Sequence, residues 1–217
     1  MYGVLKRCPL FQHISEQELR PLLECLSAKE QSYKKGRFIF MAGDEVTYIG
    51  MVLSGSVNVM QEDFWGSRTI LGHMRPGDLF AESFSCAEIK KMPVSVVALE
   101  DSQILLIDYR RIISTCSANC VFHSHLVKNM VHILAEKNIM LTEKMEHVSR
   151  RTIREKLLSY LSATAAKKGG NHIDIPFNRQ ELADYLYIDR SALSRELSLM
   201  KKDGLIDYDK NEFVLLS

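Results

Sequence analysis

NRQELADYLYIDRSALSRELSLMKKDG, residues 178–204, spaces its apolar residues as two short amphipathic helices joined by a tight turn. Asn178 can cap a first helix whose inward face holds Leu182, Ala183 and Leu186. Ala183 is small, as a close crossing of two helices requires. Asp189 can cap a second helix in which Leu193, Leu197 and Met200 form the buried stripe. Arg190, Ser191, Ser194, Arg195 and Ser198 then lie on the opposite side, near the helix start. A helix that presents its N-terminal residues this way suits the major groove of DNA. The planar fork of Arg matches the O6/N7 acceptor pair of guanine. The following GLIDYDKNEFVLL reads as a two-strand wing around DKNE. The alternative is a helical hairpin with a solvated polar face, part of a module that regulates a partner protein without touching DNA. Binding to duplex DNA that weakens steeply with salt separates the two.

Upstream, residues 150–166 predict a helix stopped by Gly169 and Gly170, with a short strand, HIDIPF, leading into the hairpin. Before that, residues 119–147 contain neither Gly nor Pro and predict roughly 40 Å of helix. Val127, Met130, Leu134, Leu141, Met145 and Val148 form a near-heptad stripe that a second copy of the chain would cover, giving a homodimer. Lys137 and Lys144 interrupt it, and packing on the chain's own barrel is the competing reading.

From Tyr33 to Asp108, short β-rich runs (RFIFM, YIGMVL, SVNVM, RTILGHM, VSVVAL, QILLI) alternate with turn signals. Glycines at 36, 43, 55, 66, 72 and 77 mark places for left-handed turn conformations. This texture predicts a sandwich or closed barrel. At the start, Ser15 and Glu18 form a capping box ahead of Leu19, Leu22, Leu23 and Leu26, with Pro21 expected only in an early turn.

Of the 217 residues, 46% are hydrophobic and 25% charged, the balance of a globular chain. No apolar run has the length of a membrane span, and the start MYGVLKRCPLF lacks a signal-peptide core, so the reading is cytoplasmic with no membrane partner. Five scattered cysteines fit reduced thiols. The net charge of +1 is uninformative; residues 149–217 hold 12 Lys/Arg against 10 Asp/Glu, so any DNA contact depends on where the cations sit. No nucleophile–base pair, phosphate loop or metal-ligand cluster stands out, which argues against an enzyme and assigns no catalytic or metal site.

Taken in order, SGSVNVM, RPGDLFAES and RQELADYLYIDRSALSRELSLMKKDGLI resemble the CRP/FNR family of bacterial transcription regulators over nearly the whole chain. The resemblance implies an α+β chain: a double-stranded β-helix (jelly-roll) sensor at 1–118, a dimerisation helix and hinge at 119–148, and a winged helix-turn-helix at 149–217. It implies recognition of inverted-repeat DNA and contact with RNA polymerase. It places Arg190, Ser191, Ser194 and Arg195 at DNA, with Arg179 at the start of the preceding helix. Ser191 departs from the Glu many members carry, and Tyr187 stands where the turn often has Gly, so a slightly different turn is expected there.

The same resemblance assigns an effector pocket to Gly77, Asp78, Leu79, Phe80, Glu82, Met92, Lys137 and Asn138. Glu82 falls at a ribose-hydroxyl acceptor position, and Ala81 replaces a second Gly. The phosphate-binding Arg falls on Met92 and the Ser/Thr after it on Pro93. A thioether cannot neutralise a cyclic phosphate as Arg does, so an effector other than cyclic AMP is expected, a small organic molecule or no ligand at all before any other. Lys90 and Lys91 read as solvated loop charges. Haem through His73, His125 or His132, and a metal or redox site at Cys116 and Cys120, rank below it; an iron–sulfur centre would need a close N-terminal cysteine group, and only Cys8 and Cys25 are available.

Overall fold

The computed structural model describes residues 2–66, 68–113 and 121–216. It divides into two compact units, Met1–Ala135 and Glu136–Ser217.

Strand alternation builds the first unit. One antiparallel sheet has the order β1 (Lys29–Tyr33), β8 (Ser102–Asp108), β3 (Tyr48–Ser54), β6 (Leu79–Phe80). The other runs β2 (Phe38–Phe40), β7 (Ser95–Ala98), β4 (Val57–Glu62), β5 (Arg68–Met74). Val52, Ile104 and Leu106 join Val57, Phe80, Met92, Val94 and Val96 in one apolar cluster. Their neighbours Ile49, Met51, Leu53, Leu105 and Ile107 belong to a second cluster with the helical residues Leu5, Leu19, Leu22 and Ile112. A period of two thus divides β3 and β8 between two cores. The six expected strands are present; β1 and the two-residue β6 were not foreseen. Of the turn glycines, 36, 43, 55, 66 and 77 have positive φ, whereas Gly72 does not and lies in β5 beside a register shift.

The helices of this unit are α1 (Tyr2–Leu5), α2 (Glu16–Cys25), α3 (Glu82–Cys86) and α4 (Tyr109–Ile113). The Ser15 amide donates to Glu18 Oε2 at 2.7 Å, as the capping box requires. Pro21 lies inside α2 rather than in its first turn.

The long helix α5 (Val121–Val148) is shared by the two units. Leu126, Met130 and Ile133 enter the second apolar cluster, and Asn129 Nδ2 donates to the Leu10 and Gln12 carbonyls, both at 3.0 Å. The division of the chain therefore falls within the helix rather than at its ends. It also corrects the expected stripe. Met130 is buried, and Val131, 62% exposed, takes the outward place. Val127, Val131, Leu134, Asn138, Leu141, Met145 and Val148 then follow one another in alternating steps of four and three, the spacing of a heptad seam. Leu141 and Met145 are both well exposed.

The second unit continues with α6 (Ile153–Lys168), β9 (His172–Asp174), α7 (Arg179–Leu186), α8 (Arg190–Lys202), β10 (Ile206–Asp209) and β11 (Glu212–Leu215). Thr152 caps α6 and Gly169, at φ 72°, closes it. The three strands pair in the order β10-β11-β9, so the wing hairpin gains a third strand from HID. Leu157, Leu161, Leu182, Ala183, Leu193, Leu197, Met200, Ile206 and Phe213 share one core beneath α6, α7 and α8.

Candidate nucleic-acid interface

Caps set where α7 and α8 begin. Asn178 Oδ1 accepts from the Gln180 and Glu181 amides at 2.9 and 3.0 Å, and Glu181 Oε2 accepts from the Asn178 amide at 2.8 Å. Asp189 Oδ1 accepts the Ser191 hydroxyl at 2.5 Å and the Ser191 and Ala192 amides, each at 2.9 Å. These bonds, the Ser191 hydroxyl first, hold the Asp189 carboxyl below its usual range. Between the helices Tyr187 takes the left-handed conformation itself, φ 53° and ψ 56°. A tyrosine thus occupies the geometry a glycine would favour, and carries the strain of its Cβ.

Arg190, Ser191, Ser194, Arg195 and Ser198 are all exposed, opposite the buried Leu193, Leu197 and Met200. Ser194 Oγ donates to the Arg190 carbonyl and Ser198 Oγ to the Ser194 carbonyl, both at 3.0 Å. Arg154 of α6 fixes the helix from behind, meeting Glu196 at 2.6 Å and Asp203 at 2.8 Å.

Arg179, also assigned to DNA, packs against the wing of its own unit. Its guanidinium carbon is 5.0 Å from the ring centres of both Tyr208 and Phe213, and Nη2 donates to the Lys210 carbonyl at 2.7 Å. Its Nη1 is buried without a hydrogen-bond partner, and burial lowers the pKa of the group. The side chain braces the wing turn, where Lys210 has φ 48°.

Sequence reasoning missed the links from α5 to this motif. Lys144, read only as a break in the stripe, holds its ammonium 4.7 Å from the Tyr187 ring centre and 5.2 Å from that of Tyr185. His147, buried, shares a 2.9 Å hydrogen bond with the Ser159 hydroxyl and packs edge-on against Tyr160. Tyr160 in turn meets Tyr185 and Phe177. The step of three between Lys144 and His147 was the available signal.

In the first unit Gly77 to Glu82 form one continuous segment through β6 into α3. Asp78 caps its own turn, accepting the Arg75 amide at 2.8 Å. Leu79 and Phe80 are core residues. The Phe80 ring lies against Gly50, where any Cβ would come within 2.1 Å of it, and edge-on to Phe40. Ala81 keeps φ at 65°, a glycine's conformation. Glu82 is buried, and the Ser83 hydroxyl donates to its Oε1 at 3.1 Å. Met92 is 3% exposed within the same apolar cluster, its amide donating to Asp44 O and its carbonyl accepting from Gly43 N, both at 2.8 Å. Lys137 and Asn138 belong to the second unit, whereas the other assigned pocket residues belong to the first.

Cys116 and Cys120 lie outside the described residues. Cys25 Sγ is 3.9 Å from Nε2 of the buried His123, a pairing that sequence spacing did not suggest. Among the described residues no three metal-ligating side chains are gathered, and no helix is long and apolar enough to cross a membrane.

Comparison with known proteins agrees with this architecture. Residues 30–119 match the family model for the cyclic nucleotide-binding domain, and residues 155–217 that for the Crp-like helix-turn-helix domain; together these exceed half the chain. The chain is 23% identical over 196 residues to the transcriptional activator protein FnrL of Cereibacter sphaeroides, covering 86% of this chain and 76% of that one. It is 23% identical over 205 residues to the cyclic AMP receptor protein of Thermus thermophilus, covering 93% and 89%. A solved CooA mutant from Carboxydothermus hydrogenoformans shares the fold, with a TM-score of 0.62 at 22% identity over 96% of this chain and 91% of that one. With a β-roll, a long helix and a winged helix-turn-helix in that order, the chain belongs to the CRP/FNR family of DNA-binding transcription regulators.

Proposed function

We propose that this regulator works in the cytoplasm as a dimer paired along α5, reads an inverted-repeat operator through Arg190, Ser191, Ser194 and Arg195, contacts RNA polymerase, and answers to a small organic effector other than cyclic AMP. The observation that carries the operator reading is the exposed face of α8, with both arginines near its capped end. Arg195 lies deeper along the helix and is the guanine contact; Arg190, in the first turn, meets a base or the backbone. Two copies related by a dimer axis set half-site centres about 34 Å apart. The buried Met92 supports an effector without a cyclic phosphate, because no cationic partner stands at that position.

Selection of bound sequences from a random duplex pool tests the reading. The wild type is expected to enrich a palindrome, and Arg195→Ala to lose about 1–3 kcal/mol and relax one symmetric pair of positions. A wild-type pool without palindromic enrichment, or an unchanged motif and affinity in Arg195→Ala, overturns it.

A further inference from the structure

Hydroxyl groups are usually treated as two-way hydrogen-bonding groups, able to meet a donor or an acceptor. On α8 three hydroxyls each stand at bonding distance from a group that only accepts. Ser194 Oγ bonds a carbonyl oxygen, Ser198 Oγ bonds a carbonyl oxygen, and Ser191 Oγ bonds the Asp189 carboxylate. All three partners can only accept, so in this geometry each serine directs its single hydrogen to its own helix or, for Ser191, to the Asp189 cap. What each shows to solvent is its lone pairs. At about 100° per residue, Ser191, Ser194, Ser198 and Arg195 share an arc of about 100° on the face opposite the core. The serine row runs about 10 Å along the helix, a length of about three base steps.

An acceptor-only group cannot bond a phosphate oxygen, thymine O4, or guanine O6 and N7, all of which are acceptors. In the major groove its complements are the adenine N6 and cytosine N4 amino groups. We infer that the serine row of α8 is a set of hydrogen-bond acceptors that selects exocyclic amino groups of bases, complementing arginines that select acceptors. The inference rests on the reading of α8 as the helix that enters the groove. It assigns Ser198, absent from the set of Arg190, Ser191, Ser194 and Arg195, to the same row. It also separates work along the face: the arginines bind phosphate or guanine, and the serines contribute nothing to the phosphate grip.

The test uses the full-length dimer. Selection from a random duplex pool with wild type, Ser194→Ala and Ser198→Ala locates the base pair to which each hydroxyl is coupled; alanine suits an exposed helix position and leaves the fold intact. Single-group analogues are then placed at that pair. Adenine is replaced by purine, or cytosine by pyrimidin-2-one, to delete the amino group; in the other arm thymine O4 or guanine O6 is deleted. Wild type is expected to lose about fivefold in affinity when the amino group goes, and the matching alanine variant to lose nothing further. The arm that responds says whether adenine or cytosine is read. Coupling to the deleted carbonyl overturns the inference. So does a motif unchanged by either serine substitution while Arg195→Ala still relaxes it, an outcome that leaves the operator reading standing. A wild type that enriches no symmetric site removes both.

Discussion

The ammonium of Lys144, on α5, lies over the ring of Tyr187, the residue that turns α7 into α8. Two opposed effects meet at Tyr187. Its left-handed backbone costs about 1–2 kcal/mol relative to glycine, and the cation over its ring returns about 0.5–1 kcal/mol. Tyr187→Gly is therefore expected to stabilise the C-terminal unit only slightly in the wild type, and by about 1–2 kcal/mol in total once Lys144→Met has removed the cation. Denaturant unfolding of the four corners of this cycle measures the coupling. Equal gains in both backgrounds would show the two side chains to be independent.

Dimer formation gives a second expectation. Leu134 is half-buried against the cluster that holds Met130 and Ile133, so a charge there harms the fold itself. Val131 and Leu141 are exposed and sit on the heptad row. Val131→Glu with Leu141→Glu should give a folded monomer, because a partner would have to bury four unpaired carboxylates at several kcal/mol each. Sedimentation at the dimer mass would contradict this.

Met92 is the place where sequence alignment and packing lead to different experiments. Alignment alone suggests that Met92→Arg would restore a phosphate partner and improve cyclic AMP binding. Packing says otherwise: the side chain lies among Phe80, Val94 and Val96, where an unpaired guanidinium is strongly destabilising. The expected outcome is a lower melting temperature with no gain in cyclic AMP affinity, and no measurable heat when cyclic AMP is titrated into the wild type. Micromolar binding by the wild type would overturn the effector reading.

His147 predicts a pH dependence. Burial lowers its pKa from the ordinary 6.5; Glu143 and Glu146 oppose this, while Lys167 and Arg150 reinforce it. The unfolded chain then takes up a proton at a higher pH than the folded one. The contribution of a neutral His147 is fully present above pH 6.5 and is lost as pH falls from there through the lower, folded value. His147→Gln should flatten the fall in stability below pH 6.5 relative to wild type. Parallel stability profiles for the two proteins would show that the imidazole titrates alike in both states.

Salt reveals the role of Arg179. A residue that grips a phosphate lowers the slope of log affinity against log salt by about 0.9 when removed. Braced between Tyr208 and Phe213, Arg179 is expected to act through the wing instead. Arg179→Ala should weaken DNA binding with the slope unchanged, and should speed amide exchange in β10 and β11. A shallower slope with unchanged exchange would return Arg179 to the phosphate contacts.

Much of this architecture could be read from the chain because local signals agreed. Asn178, Asp189 and Gly169 mark helix ends by their own chemistry, and alternation marks β3 and β8. What escaped has physical reasons. Lys29–Tyr33 is largely exposed, so β1 carries no buried alternation, and β6 is too short to show a period. Met130 and Val131 are neighbours, and no sequence pattern says which faces the barrel until the barrel is present. Arg179 and Lys144 were treated as charges seeking anions or solvent, whereas both meet aromatic rings brought from distant positions. Ser191, Ser194 and Ser198 were visible as a polar face, but the direction of their hydrogens depends on helix geometry.

The apolar row on α5 also bears on inheritance. A regulator whose subunits pair through this row, as proposed, has no means of telling a sound copy from a faulty one. In a cell making equal amounts of the intact chain and a version damaged only in α8, random pairing would leave only a minority of dimers with two working reading helices. Damage to α8 then behaves as a dominant defect. Damage to the row itself removes the faulty copy from every pair and behaves as a recessive one.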